Sequence, residues 1–389
     1  MSDALLNNIR QRIEHAGGWI PFDIFMRDAL YTPELGYYES ADVFGQQGDF
    51  VTGPDIGPWL ALALADLIHW GWQQMGCPAD WCLIEQGGGN GRLMCELARL
   101  LDRTGCSPPA RIIAVEASEH MRQRQCMLYQ REGLNVLQVS NMDELDTCEN
   151  GLYFCNELPD AFPVRCFAWH HQELFERGVC RDGPAFAWDE RPLENPPGID
   201  PVYMQAWPDG YASEWNPHLL DWQSNIAEHM QRGYAFCVDY GYAESEYYRP
   251  GRREGTLLAH LRHQVVEDVL TDPGSRDITS HIDFTALARA GQQAGLDVGC
   301  WMTQGAWLAQ SPSVQAYIQQ LGASADMESV RAITTAKRMM LPQGMGELFK
   351  LCVQSLNIAE KEPSFLARFN RVQALDLNVC QGNDQSAVR

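Results

Sequence analysis

The chain has 389 residues, of which 45% are hydrophobic, so it can bury a large core and has the length of one elaborated domain or roughly two domains. Its formal charge of -22, from 51 acidic and 29 basic residues, argues against nucleic acid as a partner and favours cationic partners such as basic peptides. The 13 cysteines contain no CxxC pair, which indicates reduced thiols in a cytoplasmic protein rather than a zinc site or a disulfide framework.

Residues 1 to about 75 are predicted to be helical at both ends, without the composition of a signal or transit peptide. The apolar run that begins at Trp59 is interrupted by Asp66 and His69 and is too short to cross a bilayer, so we expect a buried helix and no membrane span. Between the two helical regions, residues 32–58 are rich in glycine, proline and aromatic residues. Such a segment is either packed onto another surface or functional.

From Trp81 onwards, short apolar runs alternate with helical patterns, which is typical of a parallel sheet with crossover helices. The predicted strands are Cys82 to Glu85, Arg111 to Glu116, Leu134 to Val139, Gly151 to Asn156, Tyr234 to Tyr240, Leu296 to Trp301 and Leu348 to Val353. The predicted helical patterns begin near Gly91, Ser118, Asn141 and Phe284 and extend over 312–341. The sequence therefore predicts an α/β domain over about 76–355.

Two segments of this domain depart from the alternation. Residues 160–230 contain a stretch that alternates and turns like a pair of hairpins, which predicts an inserted antiparallel and helical region. Residues 241–283 carry few strand signals and many polar groups, which predicts a long lid-like loop. We expect residues 1–75 to form an N-terminal cap and residues 356–389 to form a polar, frayed tail.

The stretch CLIEQGGGNGRLMCEL passes from an apolar strand through a glycine turn into a helix. A dinucleotide-binding turn requires the pattern GxGxxG, but Arg92 occupies the position of the third glycine. The turn instead reads ExGxGxG, in which Glu85 is followed by Gly87, Gly89 and Gly91. Glycines at these positions permit a positive φ and let the backbone approach a ligand that has no phosphates.

The next predicted strand ends in Glu116, whose ionised carboxylate offers two acceptor oxygens to the two hydroxyls of a ribose. This pairing of turn and acid predicts the S-adenosylmethionine (SAM) site of a class I methyltransferase. The alternative is a turn needed only for tight packing, followed by a surface acid. The residues assigned to cofactor binding are Glu85, Gly87, Gly89, Gly91, Glu116, Ala117, Asn141, Met142 and Asn156.

A cluster of polar residues follows the fourth predicted strand in the stretch NELPDAFPV. Glu157 and Asp160 follow the carboxyl end of a parallel strand, where ligand chemistry takes place in such sheets, and two carboxylates suit a guanidinium. The alternative is that this stretch only stabilises a turn. His281 is a further catalytic candidate, with a structural role as its alternative, and we assign no metal site.

Seven stretches in one order resemble the MidA-type family, whose mitochondrial members are complex I assembly methyltransferases. They are FMRDALYTPELGYY, GDFVTGPDI, NELPDAFPV, DYGY, GTLLAHLRH, PGSRDITSHIDF and GMGELFK. The resemblance implies a Rossmann-like seven-stranded class I methyltransferase sheet with an N-terminal helical cap and SAM as cofactor. It also implies that Asp49, Thr52 and Gly53 lie in a segment that covers the cofactor.

The same resemblance implies a protein arginine ω-nitrogen as the methyl acceptor and, as in the mitochondrial members, a respiratory complex subunit as the protein substrate. The sequence leaves the oligomeric state open, with a homodimer as one option. The glycine turn departs from the family pattern GPGRGTL at Gly88, Asn90 and Arg92. Two alternative functions therefore stay open: a methyltransferase acting on a small molecule or another side chain, and a non-catalytic assembly or binding factor that uses the methyltransferase fold.

Overall fold

The computed structural model describes residues 3–39, 56–261, 264–266, 268–324 and 326–377. The N-terminal elements are α1 (Asp3–His15), β1 (Trp19–Pro21), α2 (Phe22–Tyr31) and α3 (Trp59–Gln74). The next elements are β2 (Cys82–Gln86), α4 (Arg92–Leu101), β3 (Arg111–Val115), α5 (Glu119–Glu132), β4 (Leu137–Val139) and β5 (Cys148–Asn156).

The middle of the chain contains β6 (Arg165–His170), β7 (Glu173–Asp182), β8 (Ala185–Pro192), α6 (Pro201–Met204), β9 (Tyr211–Trp215), α7 (Leu219–Glu228), β10 (Met230–Tyr242) and α8 (Glu244–Tyr247). The C-terminal part contains β11 (Leu258–Leu261), β12 (Gln264–Val266), β13 (Asp277–Thr279), β14 (Ile282–Asp283), α9 (Phe284–Gln293), β15 (Asp297–Thr303), α10 (Gln304–Gln310), α11 (Pro312–Gly322), α12 (Met327–Met340) and β16 (Phe349–Leu356). None of the helices described here is long and apolar enough to cross a membrane.

The central sheet has the strand order β15-β16-β10-β5-β2-β3-β4, and the short strand β14 pairs with the end of β10. Strands β10, β5, β2, β3 and β4 are parallel neighbours, whereas β16 runs antiparallel to both β10 and β15. The carboxyl ends of the five parallel strands therefore meet at one edge of the sheet, where the segments that follow them can share a site.

The predicted strands of this sheet are present because their side chains are apolar on both faces. One face packs against α3, α4, α10, α11 and α12 around residues such as Leu83 and Phe154, and the other packs against α7 and α9 around residues such as Ile84 and Tyr153. Helix α3, which the sequence analysis grouped with the N-terminal cap, thus belongs to the core of the central sheet.

A second sheet joins the N-terminal segment to the inserted region. Its order is β1-β7-β6-β9, and β8 also pairs with β7. All of these pairings are antiparallel. Helices α1 and α2 pack against this sheet through Ile9, Phe22 and Phe25, which share a buried core with Val179 of β7. The cap and the inserted region therefore form one layer.

Three sequence predictions are corrected by the structure. The segment 241–283 is not a structureless loop, because β11, β12 and β13 form an antiparallel sheet; strands of three or four residues are too short to show a period-2 pattern. The tail is packed at least as far as residue 377, since Leu366 and Leu375 are fully buried. Only a single 3-10 turn follows Asn141, where a helix was predicted.

Candidate functional site

The glycine turn between β2 and α4 depends on residues that lack a side chain. Gly87, Gly89 and Gly91 have φ values of +71°, +52° and +78°, a left-handed conformation that residues with a Cβ rarely adopt. A Cβ on Gly87 would lie 2.7 Å from Cδ1 of Leu158, and one on Gly91 would lie 3.1 Å from the ring of Tyr129. The turn is therefore restricted to glycine at Gly87 and Gly91 by both conformation and space, and at Gly89 by conformation.

Two departures of the turn from the MidA-type pattern point away from the ligand space. Oδ1 of Asn90 accepts a hydrogen bond from the backbone N–H of Arg92 at 3.1 Å, an Asx turn that precedes α4. Arg92 is exposed, and its guanidinium lies 3.7 Å from the carboxylate of Glu96 one turn later. Neither residue lines the cavity described below, so these substitutions leave the turn open to a ligand.

Glu85 lies beneath the glycine turn and is almost completely buried. A Cβ on Gly88 would lie 2.6 Å from Oε2 of Glu85, which shows how closely the carboxylate follows the turn. Burial, with a smaller contribution from the charge of Glu116, raises the pKa of Glu85 to about 8. Its Oε2 is buried and has no hydrogen-bond partner within the described part of the chain.

Glu116 follows β3 and lines the cavity. Its Oε1 accepts a hydrogen bond from the backbone N–H of Ser118 at 3.1 Å, and its Oε2 lies 3.4 Å from Nε2 of Gln125. Each carboxylate oxygen can accept more than one hydrogen bond, so both retain capacity for a ligand. Burial raises the pKa of Glu116 to about 7.

Gln125 is a residue that the sequence analysis missed. Its fully buried side chain donates from Nε2 to the backbone oxygen of Gly89 at 3.0 Å, while its Oε1 accepts from Gln138 at 3.2 Å. Gln125 thereby ties the glycine turn to Glu116 from the middle of helix α5. A lone glutamine in an amphipathic helix gives no sequence signal for such a role.

The segments after β2, β3, β4 and β5 surround a cavity of about 590 Å³. This volume is within the range typical of small-molecule sites. The predicted site residues that line it are Gly87, Gly89, Glu116, Ala117, Asn141, Met142, Glu157 and Asp160. The lining residues that sequence reasoning missed include Arg27, Tyr31, Tyr38, Gln86, Leu158, Phe162, His218, Asp221, Trp222, Asn225 and Asp277.

The other predicted site residues lie elsewhere. Glu85, Gly91 and Asn156 do not line the cavity, although each is adjacent in sequence to the turn or to a lining residue. Asp49, Thr52 and Gly53 lie outside the described residues. His281 lines a separate cavity of about 370 Å³, whose wall is formed largely by α7, α8 and α9.

His281 is packed edge-on against Tyr240 and Tyr242, with ring centroids 5.1 and 5.2 Å away. Burial lowers the pKa of His281 to about 4, and the nearby cations Arg252 and Lys350 lower it further. The imidazole is therefore neutral at physiological pH and is a weak base. The sequence did not show that His281 lies at a different cavity from the glycine turn, because the position of His281 depends on how β14 pairs with β10.

The end of β5 turns sharply into the cavity. Glu157 has a φ of +51°, unusual for a residue with a side chain, and its N–H donates to the backbone oxygen of Val238 at 2.9 Å. Its Oε1 accepts a hydrogen bond from Nδ2 of Asn156 at 3.0 Å. Backbone strain of this kind is characteristic of functional positions, and here it directs a carboxylate from the strand end into the cavity.

Asp160 lies at the centre of a buried hydrogen-bonded group. Its carboxylate accepts from the hydroxyl of Tyr240, and its backbone N–H donates to Oδ2 of Asp239 at 3.2 Å. Burial raises the pKa of Asp160 to about 6, although the hydrogen bond from Tyr240 opposes this shift, and burial raises the pKa of Asp239 well above its ordinary range. Oδ1 of Asp160 has no hydrogen-bond partner among the described residues.

Gln86, the last residue of β2, links the start of the glycine turn to β5 and α7. Its Oε1 accepts hydrogen bonds from the hydroxyl of Tyr153 at 2.7 Å and from Nε1 of Trp222 at 3.1 Å. Because two donors hold the amide oxygen, the orientation of the Gln86 amide is fixed, with its nitrogen as the remaining donor. Both Gln86 and Trp222 line the cavity.

The cavity wall is acidic. Its lining carboxylates are Glu116, Glu157, Asp160, Asp221 and Asp277. Among the described lining residues, the permanently charged cation is Arg27, which is exposed. Burial raises the pKa of two of these carboxylates, Glu116 and Asp160, and a nearby cation would favour their ionised form. The arrangement suits a positively charged ligand.

A mostly parallel sheet in this order, with one antiparallel strand near its end, a glycine turn after β2 and an acid after β3, defines a class I SAM-dependent methyltransferase. The residues present fit the cofactor: the turn leaves space that a Cβ would fill, Glu116 offers two oxygens, and the acidic wall suits a sulfonium.

Comparison with known proteins agrees with this class. The family model described as S-adenosyl-L-methionine-dependent methyltransferase matches residues 63–301. A Burkholderia thailandensis protein crystallised with S-adenosyl-homocysteine (SAH) is 30% identical, with a TM-score of 0.87 over 96% of this chain and 97% of that one. Because the family model matches more than half of the chain, the chain belongs to this family of methyltransferases, which confirms the MidA-type resemblance, and SAM is its cofactor.

Two curated relatives carry more specific names. A Drosophila melanogaster protein named protein arginine methyltransferase NDUFAF7 homolog, mitochondrial, is 26% identical over 380 residues, or 89% of this chain and 84% of the relative. The Homo sapiens protein arginine methyltransferase NDUFAF7, mitochondrial, is 24% identical over 318 residues, or 74% of this chain and 69% of the relative. These relatives contradict the prediction of a cytoplasmic protein, because their names place them in mitochondria.

Proposed function

We propose that this methyltransferase transfers the methyl group of SAM to an ω-nitrogen of an arginine side chain in a protein. The observation that carries the proposal is the set of five carboxylates lining the cavity, which suits a guanidinium beside a sulfonium. The names of the curated relatives, protein arginine methyltransferases at about 25% identity over most of the chain, support the same acceptor. The formal charge of -22 favours a basic protein segment as its carrier.

The cofactor-binding roles are proposed as follows. Gly87 and Gly89 leave space for the methionine end of the ligand, and the carboxylate of Glu116 accepts hydrogen bonds from the ribose hydroxyls. Asn141 and Met142 follow β4 and line the part of the cavity beyond Glu116. When bound, SAM supplies a methyl group on a sulfonium sulfur, whose positive charge disappears on transfer.

The acceptor nitrogen must lose one proton as its bond to carbon forms. We propose that Glu157 orients the guanidinium and accepts that proton, since its carboxylate lines the cavity directly after β5. Asp160 is proposed to hold the guanidinium through its unpartnered Oδ1, while the hydroxyl of Tyr240 fixes the other oxygen. Holding the acceptor nitrogen and the methyl group in line within one cavity is proposed to supply most of the remaining rate enhancement.

The test is a mass-spectrometric comparison of arginine methylation in three strains: one with the gene, one without it, and one carrying Glu157→Gln. We expect at least one methylarginine-containing peptide to be present only in the first strain. If isotope from labelled SAM, added with the purified enzyme to extract of the deletion strain, appears only in small metabolites, the acceptor is not a protein and the proposal is wrong.

A respiratory complex subunit as that protein stays a prediction of the family resemblance, and a homodimer stays one option for the quaternary state. The same mass-spectrometric comparison tests the first of them, because it identifies the protein that carries the methylarginine. Analytical ultracentrifugation of the purified chain tests the second.

A further inference from the structure

Two stacked tyrosine rings form part of the cavity wall. Tyr31, at the end of α2, and Tyr38, in the 3-10 turn that follows, both line the cavity, with ring centroids 5.4 Å apart and planes inclined by 30°. The nearby Asp277 of β13 also lines the cavity and accepts a hydrogen bond from the hydroxyl of Tyr38 at 2.8 Å. These three residues come from the cap and from the segment that was predicted to be a loop.

The tight turn between the two tyrosines fixes the position of the pair. A Cβ on Gly36 would lie 2.6 Å from the backbone oxygen of Leu30, so the return of the chain from Tyr31 to Tyr38 requires glycine there. The hydroxyl of Tyr31 donates to the backbone oxygen of Ala161 at 2.8 Å. The tyrosine pair is thus part of the cap and is fixed to the segment that follows β5 by the hydrogen bond from Tyr31.

Both hydroxyls are engaged in hydrogen bonds within the protein, so the aromatic rings are the parts of these cavity-lining residues that remain for contact with a ligand. Burial raises the pKa of Tyr31 and of Tyr38 well above the ordinary value, and the charge of Asp277 raises both further, so both phenols are neutral. A neutral aromatic face attracts cations, especially planar ones that can stack on it. The neighbouring carboxylate of Asp277 strengthens this preference.

We propose that the Tyr31–Tyr38 pair binds the guanidinium plane of the acceptor arginine, with Asp277 as a nearby countercharge. This inference rests on the proposed function, since it assigns the recognition of the acceptor to residues distinct from Glu157. Arginine is preferred over lysine because a planar, weakly hydrated guanidinium stacks on a ring, whereas an ammonium is a compact, strongly hydrated charge.

The test measures binding of small probes to the SAH-loaded protein by ligand-observed NMR. The probe is N-acetyl-L-arginine amide, and the matched neutral control is N-acetyl-L-citrulline amide, which has nearly the same shape. We expect the wild type to bind the arginine probe at least about 10-fold more tightly than the citrulline probe. The δ-methylene protons of the arginine probe are expected to shift upfield on binding, as protons over an aromatic ring do.

Substitutions at Tyr31 and Tyr38 separate the contribution of the aromatic ring to probe binding from that of the hydroxyl. Tyr31→Phe and Tyr38→Phe keep the ring, and we expect the ratio of arginine to citrulline affinity to stay within about 2-fold of the wild type. Tyr31→Leu and Tyr38→Leu remove the ring, and each is expected to lower the ratio about 3- to 10-fold. The dissociation constant for SAH, measured on every variant, shows whether the fold and the cofactor site are intact.

Equal affinity for both probes in the wild type, or an absent upfield shift, overturns the inference without any variant. An unchanged ratio in leucine variants that still bind SAH also overturns it. These results differ from failure of the proposed function, which is the absence of gene-dependent methylarginine. If the leucine variants lower the ratio of arginine to citrulline affinity but no gene-dependent methylarginine is found, the tyrosine pair is a cation site and the proposed arginine transfer is refuted. If methylarginine is found but the ratio is unchanged, arginine transfer stands and the role of the tyrosine pair is refuted.

Discussion

Two parts of the cavity wall are built in different ways. The glycine-turn side consists of residues 85–142, a continuous stretch in which backbone geometry, Glu116 and Gln125 form the site. The carboxylate side consists of Tyr31, Tyr38, Glu157, Asp160 and Asp277, which come from separate segments and act through their side chains. Under the proposed assignment, cofactor binding depends on a local chain path, whereas acceptor choice depends on how distant segments pack.

The largest expected effect is a loss of kcat when Glu157 is changed. It shows whether the carboxylate side of the cavity acts in methyl transfer rather than in cofactor binding. Glu157→Gln removes the proton acceptor but keeps the size of the side chain, so we expect kcat to fall about 100- to 1,000-fold. The dissociation constant for SAH should change less than about 3-fold. Glu173→Gln removes an exposed carboxylate that does not line the cavity, as a matched control, and should leave kcat within about 2-fold of the wild type. Equal losses in both variants would contradict the assignment of Glu157.

A valine in the glycine turn tests the other side of the comparison. Gly87→Val places a side chain at a φ of +71° and within 2.7 Å of Leu158, in space needed by the ligand. We expect calorimetry to show SAH affinity lowered at least about 100-fold, from strain and overpacking together. Gly105→Val is the control, because Gly105 has a φ of +82° with nothing within 4 Å of its Cβ position. It should bind SAH normally.

The ionisation of Glu116 should make cofactor binding depend on pH. Burial raises its pKa to about 7, and the ionised form offers more acceptor capacity to the ribose, so SAH affinity should rise as pH increases from 6 to 8. Glu116→Gln should weaken binding about 10-fold at pH 8 and flatten this part of the profile. Glu119→Gln, an exposed change at the start of α5, should leave the profile unaltered. A Glu116→Gln variant with the wild-type slope would contradict the ribose assignment.

The smallest effect concerns the stability of the ligand-free protein. The pKa of Glu85 is raised from 4.5 to about 8 by burial, so the folded state binds its proton more tightly than the unfolded state. The free energy of unfolding therefore falls as pH rises from about 5 to about 8. The Glu85→Gln variant has no proton to lose at this position. Between pH 6 and 8.5 both proteins lose stability, and we expect the fall in Tm to be a few degrees smaller for the variant than for the wild type. A parallel decrease in both proteins would show that Glu85 titrates normally.

The sequence predicted the central sheet well because its strands are nearly continuous apolar runs. The strand from Cys82 ends one residue later than predicted, and the strand from Arg111 ends one residue earlier. Elements with a weak hydrophobic signal were missed: β11 has one buried side chain, and the three buried residues of β13 include the polar Asp277 and Thr279. Their pairing is visible only when Ala259 and Ile278 are seen to pack against the cap.

The candidate site was predicted in part for the same reason. Gly87, Gly89 and Glu116 were found because strand, turn and following acid are separated by fixed numbers of residues in a β-α-β unit. Tyr31 and Tyr38 were noted only within an aromatic-rich stretch that could have been packing or function. His281 was chosen by its residue type, and the structure places it at a different cavity.

The sequence by itself determined the glycine turn, the acid that follows the next strand and the family to which the chain belongs, because these depend on local spacing and on residues that share a short stretch of chain. Only the tertiary structure decided that Tyr31, Tyr38 and Asp277 join Glu157 around one cavity. Their convergence depends on the packing of the cap and of the small β11–β13 sheet against the edge of the central sheet. No local periodicity encodes a contact between residues more than 200 positions apart, such as that between Tyr38 and Asp277.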